Sequence, residues 1–448
     1  MTSPEHLQAW VGASTAAFLR QSPVAMATAN SLSGPSVVER ILINRLGQHG
    51  DGIAEGAEGP IYIPGTLPGE TVEVDTEPGH PDRRRLVNVQ QSSALRIDPI
   101  CRHFGVCGGC AMQHLSEGSY RSWKRDLVVT AMRQTGIDVQ IAPLTDAHGD
   151  GRRRVVFHAR RGGHGVLQVG YSAARAHHIV SIDRCPILTK SLDGALKAAW
   201  AIAELLNFTG KPLDIQFTAT DQGLDVDIRG SGALTAPTVA ALAAVAQRYD
   251  FARLTRHGEL IAQMRRPSLH MGAAVVPLPP GVFLQATAQG EAALSRLVVN
   301  GCTGADKIAD LFAGVGTFAL RLAAHARVSA FDDDESAIVA LERAATDAVG
   351  LKPLHAERRN LFKAPLSAAE LSGFDAVVFD PPRQGAQAQS REIAASRVPT
   401  VVAVSCSPGT FARDIHHLLD GGYRLLSVIP IDQFRYSAHV EIVAHLQK

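Results

Sequence analysis

Between Val37 and Leu95 apolar and polar positions alternate in short runs, Ile41-Leu42-Ile43, Ile61-Tyr62-Ile63, Thr71-Val72-Glu73-Val74 and Leu86-Val87-Asn88-Val89, broken by turn residues. A period of two over such short runs predicts a small β-barrel. From Ser116 to Thr135 the period lengthens, and Tyr120, Trp123, Leu127 and Met132 fall on one face of a predicted helix. Strand and helix signals mix from Val155 to Met271, which predicts an α+β region. In the last third, strand-like runs at Lys307–Leu311, Val328–Phe331, Ala376–Phe379 and Val401–Val404 alternate with Ala-rich helical stretches at Phe318–His325, Ser336–Val349 and Phe411–Leu419. That alternation predicts an α/β, doubly wound and mostly parallel sheet, whose ligands sit at the carboxyl ends of the strands.

Composition narrows this picture. At 448 residues the chain is too long for one ordinary core. The 44 basic and 43 acidic side chains nearly cancel, so a polyanion would be met by local clusters such as Arg83-Arg84-Arg85, Arg152-Arg153-Arg154 and Arg265-Arg266. No apolar run approaches the roughly 20 residues needed to span a bilayer. Residues 1–36 are rich in Ala, Ser and Thr with Arg20 as their only Lys or Arg, which fits no secretory signal and predicts a disordered extension, with Met26 as an alternative start. A cytoplasmic, reducing location is therefore expected, where the six cysteines stay out of disulfides.

The candidate chemistry follows strand ends. Gly314 and Gly316 in Asp310-Leu311-Phe312-Ala313-Gly314-Val315-Gly316-Thr317 follow a strand and open a helix, where backbone can approach a ligand closely. Asp332, ending the next strand, can accept from ribose hydroxyls. This glycine pattern fits both NAD and S-adenosylmethionine. Downstream come Asp380-Pro381-Pro382-Arg383, then a thiol in Val404-Ser405-Cys406-Ser407-Pro408, then His439-Val440-Glu441, whose carboxylate interrupts an apolar run. Hydride transfer has no use for such a loop followed by a thiol; a methyl donor does.

A separate group of thiols, Cys101, Cys107, Cys110 and the distant Cys185, offers four soft ligands of one type. Such a set suits tetrahedral zinc or a [4Fe-4S] cluster, and the spacing alone does not choose.

The order of these motifs resembles the S-adenosylmethionine-dependent RNA uracil-5-methyltransferases. The turn Ile63-Pro64-Gly65-Thr66-Leu67-Pro68-Gly69-Glu70 resembles the TRAM domain, an OB-like RNA-binding barrel. Cys101 to His114 resembles the iron–sulfur segment of the 23S rRNA enzymes of this family. The resemblance implies a disordered 1–36, a TRAM barrel over 37–95, a central iron–sulfur and RNA-binding region over 96–280, whose helix near 116–135 packs on the catalytic domain, and a class I (Rossmann-like) catalytic domain over 281–448. It implies Cys406 as nucleophile and Glu441 as base. Cofactor contacts would come from Gln285, Phe312, Gly314, Thr317, Asp332, Asn360 and Asp380, with Phe283 a candidate for stacking on the base. Cys101, Cys107, Cys110 and Cys185 would hold a [4Fe-4S] cluster, leaving Cys302 without a role. The chain departs from the family at Ala313, where Cys is usual. The expected activity is methylation of carbon 5 of a uridine in 23S rRNA by a monomer, with tRNA as the other substrate. Two further readings stay open: a non-catalytic iron–sulfur RNA-binding protein, and an amino-group methyltransferase using the Asp-Pro-Pro loop.

Overall fold

The strands that end in candidate site residues belong to one mixed sheet. The computed structural model describes residues 38–448 apart from 163, 164, 177, 207, 209 and 210; the expected extension over 1–36, with Met26, lies outside the described residues. In sequence order the catalytic sheet is built from Lys307–Leu311, Arg327–Asp332, Leu354–Arg358, Ala376–Phe379, Thr400–Ser405, Arg424–Asp432 and Glu441–Gln447. Numbered in that order they lie side by side as 3-2-1-4-5-7-6, with the short strand Thr145–Asp146 added beyond the sixth. The first five are parallel, and Glu441–Gln447 inserts antiparallel between Thr400–Ser405 and Arg424–Asp432. Parallel strands need crossovers, and helices Glu335–Asp347, Gln387–Ala395 and Pro408–Asp420 supply them. Ala376–Phe379 is buried at every position, as expected of a strand covered on both faces.

The helix Glu117–Gln134 packs against Pro408–Asp420 and contributes Val128, Ala131 and Met132 to the same core as Phe379, Ile393 and Ile415. The predicted helical stretch Phe318–His325 is regular only over Ala319–Leu322. Two glycines and Thr317 spend the residues before it on a loop.

At the N-terminal end of the described chain, Glu39–Leu42, Arg45–Leu46, Gly52–Gly56, Gly59–Ile63, Thr71–Glu77 and His80–Gln91 form a six-stranded sheet. Ile43 N–H donates to Glu70 O and Asn44 N–H to Ile53 O, so adjacent residues stitch its two edges together and curl it around Ile41, Ile43, Ala54, Ile63, Val72 and Val74. The turn before Glu70 is held by its buried carboxylate, which accepts from Leu67 N–H at 2.8 Å and from Arg96 Nε at 2.5 Å. Gly65 and Gly69 both take positive φ there. The central region is a seven-stranded sheet between Arg154 and Gln263, covered by helices Ala195–Leu205 and Ala236–Arg248 over a core that includes Phe157, Phe217 and Phe251.

Candidate active site

Chain order brings Cys406 and Glu441 to the same end of one strand pair. Along the antiparallel pair of Thr400–Ser405 with Glu441–Gln447, Ser405 pairs with Ile442, and Cys406 and Glu441 are the next residues on the two chains. The Glu441 carboxylate is close enough to bear on the Cys406 thiol. Glu441 is 4% exposed, so it does not face solvent as an alternating edge strand would place it. Cys406 precedes Ser407, the cap of helix Pro408–Asp420.

That helix also holds the neighbouring loop. Thr410 Oγ1 donates to Arg383 O at 3.0 Å, Asp414 accepts from Ala386 N–H at 2.7 Å, and Arg413 Nη2 donates to Gln384 O at 3.1 Å. The loop from Asp380 is thus fixed relative to Cys406. Gln285 is buried and its Nε2 donates to Asp380 Oδ2 at 3.4 Å. Gln433, also buried, donates to Gln285 Oε1 at 2.6 Å and to Glu441 Oε1 at 3.1 Å. Phe283, by contrast, is 69% exposed beside this group, so it is no core residue.

The site is short of cations. Burial pushes the Cys406 thiol up to about 11, and the carboxylates of Glu441 and Asp380 add to that, against Arg383. Burial and then Asp380 raise Glu441, against Gln433, Lys124 and Arg383; burial also raises Asp380. Two buried carboxyls sharing one space cannot both ionise cheaply, so a proton is held between them. Arg383 Nη2 donates to His439 Nε2 at 3.1 Å, and burial together with that guanidinium pushes His439 down to about 4.

The glycine loop lies beside this group. Its first turn is pinned by Asp332, which accepts from Gly314 N–H at 2.9 Å and from Asp334 N–H at 2.9 Å. Phe312 sits at φ 64 and packs on Phe362 with centroids 5.3 Å apart. Asn360 donates to Asp333 at 2.7 Å, and its own oxygen accepts from Phe362 and Lys363 N–H. Thr317 is half-buried, and its carbonyl accepts from Arg321. The two glycines differ: a Cβ at Gly316 would lie 2.3 Å from Leu341 Cδ1, whereas one at Gly314 would meet nothing within 4 Å. Gly316 is required by packing; Gly314 borders open space where a ligand can lie.

Side chains around that space bear on the ligand that glycines alone leave open. Asp310 is fully buried, and burial with Asp380 and Asp332 raises its pKa well above normal. Asp310, Asp332 and Asp380 thus gather three carboxyls around one glycine loop, whose oxygens suit the ammonium and hydroxyl donors of S-adenosylmethionine better than the acceptor oxygens of a dinucleotide pyrophosphate.

Sequence patterns left Asp310, Arg383, Lys124 and Gln433 without roles. Asp310 did carry a signal, a carboxylate inside an apolar strand; the others are tied to the site by contacts between distant segments. Lys124 is fully buried on the helix Glu117–Gln134 and pairs with Asp432, which also accepts from Tyr120 OH at 2.6 Å.

Cys101, Cys107, Cys110 and Cys185 line one cavity of about 140 Å³ between the loop that carries the first three and the central sheet. Burial raises Cys107, Cys185 and Cys110, the last to about 11. Among the described residues, no three Cys, His, Asp or Glu side chains are gathered as ligands of one metal ion. Cys302 is buried in the apolar core away from these four.

The sheet order, the glycine loop and the carboxyls beside it are those of a class I, S-adenosylmethionine-dependent methyltransferase. Comparison with known proteins narrows the class. A family model for tRNA (uracil-5-)-methyltransferase matches residues 291–448. A protein of Brucella suis described as an uncharacterised RNA methyltransferase is 45% identical over 409 residues, which are 91% of this chain and 98% of that one. A 23S rRNA (uracil(1939)-C(5))-methyltransferase of Vibrio vulnificus is 28% identical over 430 residues, 92% and 96% of the two chains. The crystal structure of the Pyrococcus abyssi tRNA (uracil-54, C5)-methyltransferase with S-adenosyl-L-homocysteine shares the fold, with a TM-score of 0.72 and 24% identity over 91% of this chain and 99% of that one. The chain belongs to the RNA uracil-5-methyltransferase family and is an enzyme of the methyl-transferring class. Among the described residues, no helix is long and apolar enough to cross a membrane.

Proposed function

We propose that the protein methylates carbon 5 of one uridine in 23S rRNA through a covalent adduct between Cys406 and carbon 6. The observation that supports this reading is the buried Glu441 carboxylate bearing on the Cys406 thiol at the end of one strand pair. In the reading, Cys406 loses its proton, adds to carbon 6, and leaves carbon 5 as the nucleophilic end of an enolate. Arg383 is the chain's own cation nearest to favouring that thiolate. S-adenosylmethionine, held by Gln285, Phe312, Gly314, Thr317, Asp332, Asn360 and Asp380, would supply an electrophilic methyl group. Glu441 then takes the proton from carbon 5, the electron pair forms the 5,6 double bond, and the carbon 6 to sulfur bond breaks to return the thiolate. Gln285 and Asp380 offer donor and acceptor groups to the uracil edge, and the exposed ring of Phe283 offers a stacking face for an extruded base.

Docking of RNA is read on the N-terminal barrel, as a TRAM module, together with the cysteine loop. A cleft of about 1930 Å³ runs between them and is lined by Arg45, Arg83, Arg84, Arg85, Arg96 and Arg175, together with Asp51, Glu77, Asp82 and Asp126. The basic excess of such a lining suits a phosphate backbone without reading its sequence. A [4Fe-4S] cluster on Cys101, Cys107, Cys110 and Cys185 would tie that loop to the central sheet. The 23S assignment rests on the resemblance of the cysteine segment and on the relative from Vibrio vulnificus.

The test is gel trapping of anaerobically purified protein with 5-fluorouridine RNA and S-adenosylmethionine, since fluorine at carbon 5 cannot leave as a proton. An adduct with 23S fragments that Cys406→Ala abolishes is expected. An adduct with tRNA alone moves the substrate and keeps the mechanism; no adduct with either overturns the covalent reading.

A further inference from the structure

Gln433 follows the strand Arg424–Asp432, is fully buried, and belongs to no motif of the sequence. Its side-chain oxygen accepts from two backbone N–H groups, Ala286 at 2.8 Å and Thr287 at 3.4 Å. Backbone nitrogens only donate, so the amide cannot be turned over without facing donors with donors. Its Nε2 must therefore point the other way, to Gln285 Oε1 at 2.6 Å and Glu441 Oε1 at 3.1 Å. Both protons of that nitrogen are engaged. The direction passes on: Gln285, its oxygen taken, presents its own NH₂ toward Asp380.

Packing keeps Gln433 in place. Gly290 lies against it in the helix Ala288–Gly301, where a Cβ would come within 2.6 Å of Gln433 Oε1 and 2.7 Å of Gln433 Cβ. A glycine in the first turn of a helix leaves room for this one amide.

We propose that Gln433 is a positioning residue of the methylation reaction, which holds Glu441 as the proton acceptor for carbon 5 and fixes Gln285 with its NH₂ turned into the site. This rests on the reading of Glu441 as the base. Around Glu441 stand Asp380 and Arg383 from the loop after Ala376–Phe379, Cys406 from the end of Thr400–Ser405, and Lys124 from the helix Glu117–Gln134. Asp380 opposes a second negative charge, while Lys124 and Arg383 favour it without a hydrogen bond to Glu441 among those the structure records. Gln433 is the side chain that donates to Glu441 directly. Without that donor the carboxyl holds its proton to higher pH and is less often free to accept one from carbon 5.

The test separates addition from release. Gln433→Met removes both donors, and Gln433→Glu keeps an oxygen for Ala286 and Thr287 but replaces the donor with an acceptor. Each is compared with wild type by denaturing gel, for adduct formation on 5-fluorouridine RNA and for decay of the methylated adduct on ordinary uridine RNA. Expected are fluorouridine adducts that still form, more slowly where Gln285 is released, with decay of the uridine adduct slowed by about tenfold or more at neutral pH, the effect of losing one hydrogen bond to a charged group. For Gln433→Met the rate should recover as pH rises. A variant that forms the fluorouridine adduct yet releases uridine RNA at the wild-type rate and with the wild-type pH profile overturns the proposal. Failure of wild type to form any fluorouridine adduct takes down the covalent reading itself, and this proposal with it.

Discussion

Asp310 makes the burial of carboxyls beside the glycine loop measurable without substrate. It lies inside the first strand of the catalytic sheet, fully buried, with no side-chain hydrogen-bond partner and with Asp380 and Asp332 nearby. Burial first and then those carboxylates raise its pKa, against the weaker pull of the Ala319 N–H. Below about pH 4 both the folded and the unfolded chain carry this proton. Above that, the unfolded chain releases it and the folded chain keeps it, so the folded state binds one more proton and loses stability as pH rises. The slope is about 1.4 kcal/mol per pH unit for each such group until its folded pKa is passed. Asp310 thus removes stability progressively as pH rises above about 4, until its folded pKa is passed. Asp310→Asn cannot ionise and should flatten the curve by about one proton's share, whatever constant offset its amide adds. Asp380 and Glu441 shift in the same direction and remain in the variant. Urea unfolding of both proteins above about pH 4 reads the difference in slope. Parallel curves would mean that Asp310 is ionised in the folded protein, and burial would not be what sets its protonation.

Three further outcomes follow from geometry. Lys124→Met leaves Asp432 charged and buried, so it should cost about 3–5 kcal/mol of stability, read as a lower melting temperature; a double variant with Asp432→Leu should recover most of it, and equal melting of Lys124→Met and wild type would refute the pairing. Gly316→Ala should destabilise the fold through Leu341, whereas Gly314→Ala should leave a folded protein with weakened S-adenosylmethionine binding by calorimetry, because its Cβ points into open space; full binding by Gly314→Ala would remove that loop from the cofactor site. Anaerobically purified protein should contain iron with inorganic sulfide, and Cys185→Ala should lose both; stoichiometric zinc in their place would overturn the cluster reading.

The strands of the last third were legible because buried parallel strands read as continuous apolar runs, and Ala376–Phe379 and Lys307–Leu311 fall where the pattern puts them. Leu354–Arg358 was not, since this edge strand buries only Ala356 and reads as a polar loop. The insertion of Glu441–Gln447 between two other strands was equally hidden, because pairing order is not written in local periodicity. Glu441 advertises itself as a carboxylate in an apolar run, but only the assembled sheet shows that it is buried near Cys406 rather than facing solvent.

The residues that tune the pair lie further still from any local signal. Gln433 is 148 residues from Gln285, and Lys124 is 308 residues from Asp432. A buried amide or ammonium is costly unless its partners are in place, so these contacts exist only once the helix Glu117–Gln134, the Gln285 loop and the last two strands have assembled around one point. The reactive groups can be found one motif at a time. The direction of each proton between them belongs to the assembled sheet, which is why an ordinary-looking glutamine, held by two backbone N–H groups and a glycine, ties Glu441 to Gln285.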